Sequence, residues 1–70
     1  MSKYLVAVFD GIDPYIVSTS ARTINEAENR IMNKLTKEWD LDVPADWCDF
    51  CNIAQASDYQ IGEVCDIEEF

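Results

Sequence analysis

Lys3-Tyr4-Leu5-Val6-Ala7-Val8-Phe9-Asp10 is the stretch on which the fold turns. Its β-branched and aromatic residues favour an extended chain. Successive side chains of a strand point to opposite faces, so Tyr4, Val6 and Val8 share one face and Leu5, Ala7 and Phe9 the other. Both sets are apolar, which suits a strand in the middle of a sheet. Asp10-Gly11-Ile12-Asp13-Pro14 follows, dense in turn formers. Tyr15 to Ser20, YIVSTS, is again rich in β-branched residues and is expected to pair back as a hairpin.

Thr23-Ile24-Asn25-Glu26 matches the capping box, in which a hydroxyl and a carboxylate satisfy the free amides of a helix start. The helix therefore begins near Ile24. Ile24, Ala27, Ile31 and Leu35 recur at helical spacing and form one apolar face, widened by Met32 and Trp39. Glu26, Asn29, Arg30, Asn33 and Lys37 take the wet side, and Glu28 falls near the apolar face. Glu26 and Arg30 are i,i+4 partners. The helix should end between Glu38 and Leu41, before Pro44.

Asp40 to Ser57 is less regular. Asp46 is placed to cap a brief helix from Trp47 to about Ala54. Tyr59 to Ile67, YQIGEVCDI, reads as a third strand with Gly62 at a bulge. Glu68, Glu69 and Phe70 form a tail. The expected fold is a single α+β domain over residues 1–70, in the order β-β-α-(irregular or short helix)-β. One helix lies across one face of a three-stranded antiparallel sheet. Its strand order is 2-1-3, because the first strand is apolar on both sides.

The charge is −9 and unevenly spread. Residues 1–37 hold five bases and four acids, a balance of +1; residues 38–70 hold ten acids and no base, a balance of −10. Such a field repels nucleic acid and membrane surfaces and attracts basic proteins. Direct nucleic-acid binding needs Lys and Arg on phosphates and is not expected. No apolar run approaches the ~18 residues that a membrane span needs. No signal peptide is read at the N-terminus. Three cysteines are an odd number for a secreted disulfide scaffold, which points to a reducing cytoplasm.

Trp47-Cys48-Asp49-Phe50-Cys51 resembles the W-C-x-x-C of thioredoxin-like oxidoreductases, which implies a reactive first thiol at a helix start. The family's strand before the motif and its βαβ frame are not evident around it. Cys48 and Cys51 also have metal-ligand spacing, with Cys65 as a third candidate and no His to complete a zinc set. The leading reading makes the three cysteines small buried hydrophobes, with Trp47, Phe50 and Cys51 closing one end of the sheet. No cofactor is expected, and zinc is the alternative. No pattern of catalytic residues is present, so no enzyme activity is expected.

From Trp39 onward, acids alternate with large aromatics. Aromatic side chains anchor interfaces, and charges select the partner. The expected partner-binding set is Asp40, Asp42, Asp46, Trp47, Asp49, Asp58, Glu63, Asp66, Glu68 and Glu69. In length, element order and uncompensated acids from Glu38 to Glu69, the chain resembles the small acidic bacteriophage anti-defence proteins, including anti-CRISPR and anti-restriction inhibitors. That resemblance implies an inhibitor that binds a nuclease or another nucleic-acid-binding complex, in some cases by mimicking DNA. Two readings of other classes stand beside it. One is a zinc or thiol module built on the cysteines. The other is an assembly or antitoxin-like partner that folds as an oligomer, favoured if the sheet face away from the helix exposes apolar surface. A monomer and a homodimer are both compatible with the sequence.

Overall fold

The computed structural model describes residues 2–67. Strand β1 (Ser2–Phe9) pairs antiparallel with β2 (Pro14–Ala21) along its whole length, Val6 opposite Val17. The turn between them is held by the Asp10 carboxylate, which accepts the amides of Ile12 at 2.9 Å and Asp13 at 2.7 Å. Gly11 has φ +90, a left-handed conformation that only glycine adopts freely. Helices α1 (Ile24–Glu38) and α2 (Trp47–Ala56) follow. Two short strands, β3 (Gln60–Ile61) and β4 (Cys65–Asp66), then pair antiparallel with the other edge of β1. The sheet order is β2-β1-β3, with β4 also on β1. The α+β class and the central place of β1 are as the sequence implies.

The expected third strand is thus split in two. Val8 is opposite Ile61 and Leu5 opposite Cys65. Two residues of β1, Val6 and Ala7, therefore face three, Gly62, Glu63 and Val64. That is a bulge, at the glycine the sequence marks. The Gly62 amide donates to the Ala7 carbonyl at 2.9 Å, and a Cβ on Gly62 would stand 3.2 Å from that oxygen. The extra residue reverses the alternation. Ile61 and Val64 both turn toward the core, and Cys65 turns to the opposite face with Leu5.

The core lies between one face of the sheet and the two helices. Tyr4, Val6, Val8, Val17 and Ala21 line it from the hairpin, and Ala27, Ile31, Met32, Leu35 and Phe50 from the helices. Ile24 is about half-exposed despite its place in the helical repeat, because it is the first residue of α1. Thr23 caps α1 as read, accepting the Glu26 amide at 3.2 Å, and the Glu26 carboxylate is taken by Arg30 Nη2 at 2.8 Å. The irregular segment is shorter than expected, since α2 runs to Ala56 and forms part of the core layer with α1.

The other face of β1 is apolar but has no layer over it among the described residues. Leu5 and Phe9 are half-covered, Ala7 is exposed, and Ile16 of β2 is 59% exposed. Apolar alternation on both faces marks a central strand, and both described helices pack on the face of Tyr4, Val6 and Val8.

Candidate functional site: an acidic pole around a stacked aromatic pair

Both helices end in the same way. After α1, Asp40 takes φ 52 while its amide donates to the Lys37 carbonyl and the Leu41 amide to that of Thr36. After α2, Asp58 takes φ 68, its amide donates to Gln55 and the Tyr59 amide to Ala54. Each is a Schellman motif with aspartate in the left-handed position, where glycine is the usual residue. Trp39, just before Asp40, stacks on Tyr59, just after Asp58, with ring centroids 4.2 Å apart and planes 4° from parallel. Trp39 Nε1–H donates to the Tyr15 hydroxyl at 3.1 Å. The stack therefore joins both helix ends to the start of β2.

Acids collect around this junction. Asp40 and Asp58 flank the stack. A Cβ on Gly11 would stand 3.6 Å from the Asp58 carbonyl, which places the β1–β2 turn, with Asp10 and Asp13, beside them. Burial is the largest cause pushing the Tyr15 phenol above its ordinary value, and the charges of Glu38 and Asp10 add to it, against the Trp39 hydrogen bond. Those two carboxylates are thus within electrostatic reach of the same junction. The Asp10 carboxyl is held below its ordinary 3.8, first by the Asp13 amide and then by that of Ile12. Its support of the turn is present at neutral pH and is lost as pH falls through that lowered value.

The remaining members of the expected set are distributed elsewhere. Asp46 caps α2, accepting the Asp49 amide at 2.8 Å, and Asp49 accepts the Ala45 amide at 2.8 Å. These two carboxylates hold the start of α2, about 15 Å from its other end. Trp47 is half-buried, tilted against Phe50 with centroids 5.4 Å apart, and packs on the core. Glu63 lies exposed on the bulge and Asp66 half-buried on β4; Asp42 is the exception, exposed only two residues, at most about 7 Å, past Asp40. Glu68, Glu69 and Phe70 lie outside the described residues. Two apolar residues near the pole were not singled out in the sequence. Ile12, in the turn, is 81% exposed, and Val43, next to Asp42, is 89% exposed. Aliphatic residues in predicted loops have no periodicity to set their exposure, so no sequence signal marked them.

The cysteines do not converge. Cys48 and Cys51 sit on the first turns of α2, on the helical side of the sheet, and the bulge turns Cys65 to the other side. Among the described residues no group of three or more His, Cys, Asp or Glu side chains is placed to hold a metal ion. Cys48 is exposed. Burial is the main cause pushing the Cys51 thiol up, with Cys48 and Glu28 adding to it, the reverse of what an activated nucleophile needs. Alkylation near neutral pH is expected to mark Cys48 well before Cys51, with the gap narrowing as pH rises. Mass-spectrometric mapping of a time course checks this, and faster labelling of Cys51 would show that its burial is wrongly assigned.

A shallow open depression of about 280 Å³ is lined mainly by Ala7, Phe9, Pro14, Ile61 and Gly62. It lacks the convergent polar groups of a small-molecule site. No helix among the described residues is long and apolar enough to cross a membrane. No protein-family model, no curated protein and no solved structure matches this chain.

Proposed function

We propose that this chain is a non-catalytic binding protein that docks its acidic pole on a basic, nucleic-acid-handling protein and blocks its nucleic-acid site, as a phage-type anti-defence inhibitor does. The observation that carries this reading is the pair Asp40 and Asp58. Each stands in a left-handed position that glycine or asparagine fills at lower cost. Each also sets a negative charge at the C-terminal end of a helix, where the macrodipole is itself negative. Local stability disfavours both acids, and residues that break local rules are expected at functional sites. Their neighbours Glu38, Asp10, Asp13 and Asp42 outnumber Lys37, the one base in the last turn of α1, so the pole is net negative, and Ile12 and Val43 supply exposed apolar contact beside it.

On this reading the protein works in the cytoplasm of a bacterial host, takes no cofactor and contacts no nucleic acid itself. The test is capture of partners by the tagged protein from bacterial lysate, with elution by raised salt or by duplex DNA. A nucleic-acid-binding protein released by both treatments is the expected result. Partners that survive high salt and excess DNA would overturn the reading.

A further inference from the structure

The far edge of β2 is open. Among the described residues β2 pairs only with β1. The Ala7 carbonyl accepts the Gly62 amide, so Ala7 bonds away from β2. Bonded and non-bonded pairs alternate along an antiparallel ladder. Ile16, Ser18 and Ser20, opposite Ala7, Leu5 and Lys3, therefore turn their amides and carbonyls outward. Natural edges are guarded by charge, bulge, proline or short length. This edge is eight residues long, holds no charged side chain from Pro14 to Ala21, and has its only proline at the first position.

We propose that β2 pairs antiparallel with β2 of a second copy about a two-fold axis at Ser18, joining the two sheets into one. This proposal is independent of the acidic-pole reading. In that register Ser18 faces Ser18 of the second copy, Ile16 faces its Ser20, and Pro14 faces its Arg22. Every outward amide of Ile16, Ser18 and Ser20 then finds a carbonyl. The charges fit as well. Two copies of charge −9 repel, but they meet here along a neutral strand. The strand is bounded by exposed Asp13 at one end and exposed Arg22 at the other, neither in an ion pair among the described residues. The two-fold brings each Arg22 within one residue of the Asp13 of the other copy. The axis is perpendicular to the sheet, so both helical layers stay on one side. The uncovered apolar faces of Leu5, Phe9 and Ile16 adjoin on the other.

The test combines sedimentation with amide hydrogen exchange on the intact chain and on Ser18→Glu. Ser18 is exposed and its amide is not used by β1, so the variant keeps the fold, which circular dichroism verifies. The wild type should sediment as twice 8.0 kDa at high concentration, more completely in raised salt, which screens the repulsion. The amides of Ile16, Ser18 and Ser20 should be protected in that species. In Ser18→Glu like charges face each other across the axis, and dimerisation should weaken by about tenfold with loss of that protection. A monomer at every concentration would overturn the proposal and leave the edge to some other strand. So would a dimer whose three amides exchange freely, or one that Ser18→Glu leaves intact.

Discussion

Phe50→Ala is expected to leave the chain unfolded in water at room temperature. Phe50 is 0% exposed and is the largest side chain fully buried. It belongs to the buried core cluster together with residues of the sheet and of α1. Emptying such a site costs about 3–5 kcal/mol in lost transfer energy and cavity. A core in a chain of this size supplies a net stability of about the same magnitude, so little remains. Phe50→Leu, which keeps most of the volume, should fold with a lower urea midpoint. Far-UV circular dichroism through a urea titration reads both variants. A Phe50→Ala protein that unfolds within a few tenths molar urea of the wild type would mean that α2 does not pack where it is described.

Much of this fold is written in local pattern. The apolar alternation of β1 places it centrally. Thr23 and Asp46 mark the two helix starts, and Gly62 marks the bulge. Three features were not legible. The faces Tyr4, Val6, Val8 and Leu5, Ala7, Phe9 are equally apolar, and only the three-dimensional arrangement decides which one the helices cover. The bulge was suggested by Gly62, but its consequence for Cys65 depends on register, which one residue reverses. The left-handed positions of Asp40 and Asp58 carry no mark in the sequence, because helix ends shift by a residue or two in any sequence reading. The site was legible as a charge field but not as a place. Asp40 and Asp58 lie 18 positions apart in the chain, and only the stacking of Trp39 on Tyr59 brings their two helix ends together.

Asp40→Asn combined with Asp58→Asn should move stability and binding in opposite directions. Asparagine accepts the left-handed conformation and removes a charge that the helix C-terminus disfavours, each change contributing about 0.3–1 kcal/mol. The melting temperature should rise by several degrees in a domain this small. Loss of two charges from the pole should slow association with a basic partner by about tenfold and flatten its salt dependence. A structural role for the two acids predicts the opposite for stability. Asp46→Asn with Asp49→Asn is the matched control. It also removes two charges, from the far end of α2, and asparagine at the Asp46 cap preserves its hydrogen bond. That control should change binding far less than the pair at the pole.

The most direct measurement is therefore the affinity of the captured partner for the wild type and for the Asp40→Asn, Asp58→Asn variant, at low and at raised salt, with thermal melting of both proteins. The expected result is a more stable variant that binds about tenfold more weakly at low salt, with the difference closing as salt rises. Unchanged affinity in a variant that melts higher would contradict an interface at the acidic pole.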